Sequence, residues 1–303
     1  MSRRWTTCWG GLLAALMLAS AVDAWCATSA LEVRDDRGVT SRWSKPPQRI
    51  VTLLPSLTET VCELGACDRI VGVDRHSNHP ASVQKLAKLG GLDDANVELI
   101  VSLRPDVVLL GVSSRVIDRL EALGLKVVAL EPRTQDDVRR VVHKVGAVLG
   151  RVSESERLAR RIDAEVDAAA AMVPKAARGW RVYYEVDSAP YAAGTSSFIG
   201  HTLQRLSQDN VVPASLGPFP RLNPEYVVRA DPDLIMVGAR SAPSLPQRPG
   251  WSRIRAVRDG RICAFSPNQV DVLSRPGPRM GEAARIMLGC LQQQVARQAG
   301  GKP

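Results

Sequence analysis

The chain has 303 residues, 45% of them hydrophobic and 4% aromatic, and 40 Lys and Arg against 31 Asp and Glu give a net charge of +9. The apolar fraction excludes a disordered chain, and the length allows two domains of ordinary size. The basic residues are scattered among acids and no DNA- or RNA-binding motif accompanies them, so the excess reads as a solvated surface rather than a nucleic-acid face.

The N-terminus has the form of an export signal. Arg3 and Arg4 precede an apolar run from Leu12 to Val22 and then small residues. Val22-Asp23-Ala24 fits cleavage after Ala24, with Ala27 the alternative, so residues 1–24 are assigned to a signal peptide and the mature protein to the periplasm. The run is short for a transmembrane helix, and no later stretch is long enough. Trp25 before Cys26 does not suit lipoprotein processing, so no lipid anchor is expected at Cys26. Cys26, Cys62, Cys67, Cys263 and Cys290 follow the cleavage site, an odd set that leaves at least one unpaired. Their spacing does not match a zinc site. Buried thiols are the default expectation, and a Cys263–Cys290 bridge stays open.

Residues 28–48 are polar and read as a lead-in. Arg49–Leu54 is a first strand. Pro55-Ser56 opens a helix with apolar Leu57, Val61 and Leu64, closed by Gly65. Ile70–Val73 is a second strand, followed by a loop from Asp74 to Pro80. Residues 96–111 then form a stretch that recurs without a gap as residues 223–238. Each copy starts at an N-cap Asn, Asn96 or Asn223, with Glu98 or Glu225 in the first turn, and Pro224 suits the first helical position. Arg104-Pro105 and Asp231-Pro232 end the helices, because the residue before Pro is pushed out of the α region. Val107–Leu110 and Leu234–Val237 are short apolar runs of the kind buried on both faces of a parallel sheet. A helix at 115–123, a strand at Lys126–Leu130 and a helix at 135–149 complete the first half.

Residues 152–172 follow a helical period without Gly or Pro, with Ser153 as the expected cap; at 1.5 Å per residue this is roughly 30 Å of helix. The second half begins with a strand at Arg181–Val186 and a loop, Ser188–Ser197. A helix from Phe198 to about Leu206 and a Pro-rich loop from Pro213 to Leu222 lead to the second repeat copy. Residues 239–250 read as surface loop, Trp251–Val257 as a short helix and Ile262–Phe265 as a strand. Ser266 to Arg279 reads as a long loop before a closing amphipathic helix, Met280 to about Val295. Strands alternating with helices argue an α/β fold of two Rossmann-like lobes, each with a central parallel sheet, joined by one long rigid helix. The assigned spans are 48–150 for the first lobe, 151–174 for the connecting helix and 179–296 for the second lobe.

The pattern resembles the periplasmic substrate-binding proteins of the ABC importers for cobalamin, haem and ferric siderophores, over about residues 48–295. The segments that carry the resemblance are Arg49-Ile50-Val51-Thr52-Leu53-Leu54-Pro55-Ser56 with Thr58-Glu59, Asn96-Val97-Glu98 running to Arg104-Pro105-Asp106, and Asn223-Pro224-Glu225. The pattern is closest to the cobalamin-binding members. The resemblance implies a monomeric receptor without enzymatic activity or resident cofactor, its partners an inner-membrane permease and ATPase. It implies that Glu98 and Glu225 dock onto permease arginines. It also implies a ligand in the cleft between the lobes, a corrinoid or, as the alternative, haem or a ferric siderophore. Candidate contacts are Pro55, Ser56, Leu92, Tyr191, Phe219, Asp271 and Arg275, with Leu92 standing where cobalamin-binding members carry a stacking Trp. Axial ligation of haem would fall to His76, His79 or Tyr191. The chain lacks a Gly-x-Gly-x-x-Gly after a strand, a Walker loop, a Gly-x-Ser-x-Gly elbow and His-Glu-x-x-His, so no enzyme is expected. Its four His weigh against a metal-ion receptor.

Overall fold

The computed structural model describes residues 31–188 and 190–300. The expected signal peptide and Cys26 lie outside the described residues.

Two short strands, β1 (Leu31–Arg34) and β2 (Thr40–Trp43), pair antiparallel and open the fold. They correct the reading of residues 28–48 as a polar lead-in. Only Val33 and Trp43 of the two strands are buried; Leu31 and Ser41 are half-buried, and the remaining residues are exposed. The hairpin turn is fixed to the first sheet by Asp35 and Asp36. The Asp35 carboxylate accepts from the Ala129 amide at 3.1 Å, and Asp36 is held by Arg140 and Lys144.

The first sheet is all parallel. It takes β3 (Ile50–Thr52), β4 (Ile70–Val73), β5 (Ala87–Lys88), β6 (Val107–Leu110) and β7 (Val127–Ala129) in the order β5-β4-β3-β6-β7. β3, β6 and β7 are buried throughout, as expected for strands covered on both faces. The covering helices are α1 (Pro55–Glu63), α2 (Val97–Ser102), α3 (Ile117–Ala122) and α4 (Gln135–Leu149). Pro55 is the first residue of α1, and Leu57, Val61 and Leu64 are buried. Asn96 caps α2 by accepting from the Leu99 amide at 2.9 Å. A Thr134–Asp137 capping box starts α4, and left-handed Gly150 ends it.

The connecting helix is α5 (Val152–Ala171), 20 residues long. Its N-cap is Arg151, without a side-chain cap bond, so Ser153 does not take the capping role expected of it. α5 lies between the first lobe and the second. Gly146 on α4 and Gly281 on the closing helix give it room, because a Cβ at Gly146 would overlap Ser155 and one at Gly281 would overlap Glu165. Leu158, Ile162, Val166 and Ala169 fill the apolar side of α5.

The second sheet has β8 (Arg181–Asp187), β9 (Tyr191–Ala192), β10 (Asp209–Asn210), β11 (Leu234–Gly238) and β12 (Ile262–Phe265). The order is β10-β8-β11-β12, parallel, with β9 antiparallel beside β8. Its helices are α6 (Phe198–Arg205), α7 (Pro224–Ala230), α8 (Arg255–Arg258), α9 (Pro267–Leu273) and α10 (Met280–Gly300). α9 corrects the reading of 266–279 as one long loop: a Ser266–Gln269 capping box with Pro267 at the first position starts it. Residues 242–247 form a 3-10 turn around buried Leu245 rather than plain surface loop. The expected Trp251–Val257 helix is a 3-10 turn, Trp251–Arg253, followed by α8.

The repeat copies take the same form, α2 before β6 and α7 before β11. The residues before their prolines, Arg104 and Asp231, both adopt positive φ, 45° and 40°. Asp231 then binds Arg255 through its carboxylate and holds α8 against the turn. Cys62 is bonded to Cys67 and Cys263 to Cys290, which overturns the default of buried free thiols for both pairs.

Candidate functional site

In each sheet the strand order reverses beside the first strand, between β3 and β6 in one lobe and between β8 and β11 in the other. Parallel sheets bind ligands outside the carboxyl ends of their strands at such points. A cleft of about 540 Å³ opens there, between the lobes. From the first lobe it is lined by Leu54, Pro55 and Ser56 after β3, His76 after β4, and Glu131, Pro132 and Arg133 after β7. The second lobe contributes Val186 at the end of β8, Phe198 and Ile199 at the start of α6, Phe219, and residues 271 and 274–276 around the end of α9.

One wall is apolar and aromatic. Phe198 is buried, and its ring centroid lies 5.7 Å from that of Phe219 at an interplanar angle of 57°. Phe219 is half-buried and keeps part of its ring free for a ligand. The Phe198 amide donates to the Arg133 carbonyl at 2.9 Å, a main-chain bond that ties the second-lobe wall to the first lobe.

A polar latch joins the lobes beside the cleft and reaches its lining through Asp271 and Arg275. Glu59 on α1 is 1% exposed. Its carboxylate accepts from Arg275 at 2.9 Å and from Arg279 at 2.7 and 2.9 Å, both residues of the second lobe. Arg275 also donates to Asn78 Oδ1 at 2.8 Å and to the His76 carbonyl at 3.0 Å, and pairs with Asp271 at 3.0 Å. Asn78 donates to Asp271 at 2.8 Å. Close approach continues beside the latch, where a Cβ on Gly277 would stand 3.3 Å from Ser56 Cβ. Glu59 stands in the Thr58-Glu59 segment, but its partners lie more than two hundred residues away, and nothing local to the sequence identified them.

The structure brings Pro55, Ser56, Phe219, Asp271 and Arg275 together at the cleft. Asp271 and Arg275 meet it as members of the latch, already engaged with each other. Tyr191 is not among the lining residues; it sits exposed on β9, bridged to Arg221. Leu92 is also exposed and outside the lining. A Cβ on Gly111 would stand 3.8 Å from Leu92 Cδ1 and 3.5 Å from Oε2 of the lining residue Glu131. Phe198, Glu131 and Arg133 were not singled out from sequence. Among the described residues, no three His, Cys, Asp or Glu side chains group as metal ligands.

Glu98 and Glu225 occupy the same place in the two repeat copies, the first turn of α2 and of α7. Their side chains are 74% and 78% exposed. Glu98 accepts from Arg119 at 2.5 Å, and Glu225 lies 3.9 Å from Arg229. Exposed pairs of this kind are worth about 0–1 kcal/mol, so both carboxylates can be taken by a partner at little cost.

Two parallel-sheet lobes, one helix between them and a cleft at both switch points define a two-lobed binding protein. The model of the periplasmic binding protein family matches residues 50–268, and the chain belongs to that family. It is similar to an uncharacterized ABC transporter substrate-binding lipoprotein of Bacillus subtilis, 27% identical over 90% of this chain and 93% of the relative. A cobalamin-binding protein of Halobacterium salinarum is 30% identical over 78% of this chain and 67% of the relative. Among solved structures, a periplasmic heme-binding protein of Roseiflexus superposes with a TM-score of 0.69 at 25% identity, covering 80% of this chain and 97% of that one.

Proposed function

We propose that this protein is a periplasmic receptor without enzymatic activity, which captures a corrinoid between its lobes and delivers it to an ABC permease and its ATPase. The observation that carries the reading is the cleft itself. Apolar side chains of Phe198, Phe219, Val186 and Ile199 share the cleft with Asp271 and Arg275, whose charges are paired within the protein. A flat macrocycle with neutral amide side chains suits such a site, since its ring meets the apolar face and its amides find donors and acceptors at the rim. The similarity to the cobalamin-binding protein of Halobacterium salinarum supports the same ligand class. Delivery is assigned to Glu98 and Glu225, which offer two exposed carboxylates at equivalent positions of two lobes held by one stiff helix.

One observation favours haem as the second reading. His76 is exposed, lines the cleft, and has its carbonyl and amide fixed by Arg275 and Asp74, which leaves the imidazole to a ligand iron. Visible-absorption titrations of the purified protein separate the two. A saturable spectral change with cyanocobalamin at one equivalent supports the corrinoid reading. A sharp Soret shift with haemin, lost in His76→Ala and accompanied by no response to cyanocobalamin, replaces it with the haem reading.

A further inference from the structure

We infer that Glu131 sets the class of ligand that the cleft accepts, favouring macrocycles with neutral amide side chains and disfavouring those with carboxylates. This rests on the receptor reading above and specifies its ligand further.

The charge balance of the cleft is the starting point. Its charged lining residues among those described are Glu131, Arg133, Asp271 and Arg275, with the imidazole of His76 beside them. The Arg275 charge is already met by Glu59 at 2.9 Å and Asp271 at 3.0 Å. Arg279, the other guanidinium of the latch, is turned onto Glu59. An anionic ligand therefore finds Arg275, the latch guanidinium that lines the cleft, already committed. Elsewhere in the lining, Arg133 stands beside Glu131, 3.9 Å from its carboxylate, so the two together carry no net charge. A ligand bearing two carboxylates would meet one loosely paired cation, Arg133, with the Glu131 carboxylate beside it, so at least one of its charges would enter a partly desolvated space uncompensated.

Glu131 is placed to read the difference. Its carboxylate is held loosely, with Arg133 Nε 3.9 Å from one oxygen and Ser113 Oγ 3.5 Å from the other. Its backbone is held firmly: the Glu131 amide donates to Asp36 at 2.8 Å, and two residues on the Arg133 carbonyl accepts from Phe198. A half-buried carboxylate on a fixed backbone keeps most of its lone pairs for a ligand N–H. A carboxamide supplies two such donors. A ligand carboxylate supplies none and is repelled.

The test is calorimetric titration of the full protein with three probes: cyanocobalamin, its monocarboxylic acid in which one peripheral amide has been hydrolysed, and haemin. The wild type is expected to bind cyanocobalamin at least about tenfold more tightly than the acid or haemin. Glu131→Gln is expected to narrow that ratio about tenfold, and Glu131→Asp to keep the preference, with the melting temperature unchanged in both. A wild type that binds cyanocobalamin but whose preference survives Glu131→Gln intact overturns this inference and leaves the corrinoid reading standing. A wild type that prefers haemin, or that binds none of the probes, overturns both.

Discussion

Glu59→Ala removes the one carboxylate shared by two second-lobe guanidiniums, and the structure sets how much that should cost. Deleting one partner of a buried ion pair typically destabilises by about 3–5 kcal/mol, because the charges left behind are uncompensated. The Arg275 side chain is only 7% exposed, but it keeps Asn78, the His76 carbonyl and Asp271 as acceptors. Among the described residues Arg279 keeps only Glu282, at 3.8 Å. The loss should therefore fall at the lower end, about 3 kcal/mol. For a chain of this size that corresponds to a drop of about 6–12 °C in melting temperature. Urea unfolding followed by circular dichroism measures it directly. Glu59→Gln should cost less, since the amide oxygen still accepts from one guanidinium. Replacing all three residues together, as Glu59→Leu, Arg275→Met and Arg279→Leu, should cost least, because no buried charge is then left alone. A Glu59→Ala protein within about 0.5 kcal/mol of the wild type would refute the reasoning and make the triad energetically idle.

Three further outcomes follow from the same geometry. Glu98→Ala combined with Glu225→Ala should leave ligand affinity unchanged but abolish uptake in a transport assay; normal uptake by the double variant would remove the docking assignment. Asp137 gives a pH signature. Burial would raise its pKa, but bonds from Arg140 and from the Thr134 amide and hydroxyl, together with the Arg133 amide, hold it at about 2 against an ordinary 3.8. A folded-state pKa below the unfolded one adds stability above pH 3.8 that is lost as the pH falls toward 2. Asp137→Asn should accordingly flatten the acid limb of a stability profile between those values, and an unchanged limb contradicts the assignment. Gly281→Val should destabilise by about 1–3 kcal/mol in urea, because its side chain meets Glu165 where α10 crosses α5.

The elements that were legible in the sequence are those whose signals are local. Asn96 and Asn223 cap their helices as their position before an apolar run requires, and the strands β4, β6 and β12 stand where continuous apolar runs placed them. The opening hairpin was not legible because its strands bury so little: Glu32, Arg34 and Arg42 face water and mask the period. α9 did carry a local signal, Ser266 followed three residues later by Gln269 with Pro267 between, which the surrounding prolines hid. At the site, Phe219 was visible as an aromatic in a Pro-rich loop. The latch was not, because Glu59 meets Arg275 and Arg279 only after two sheets and a long helix have set the lobes side by side. Arg275 illustrates the consequence: its position was readable from sequence, but its engagement with Glu59 needed the fold.

The central claim, that a corrinoid binds against the aromatic face between the lobes, is tested most directly by calorimetric titration of the wild type and Phe219→Ala with cyanocobalamin. The account predicts one-to-one binding at micromolar or tighter affinity in the wild type, weakened about tenfold or more in the variant, in keeping with the worth of a stacking aromatic. Equal affinity in the two proteins would contradict the placement of the ligand on that face, and an absence of binding in the wild type would contradict the claim itself.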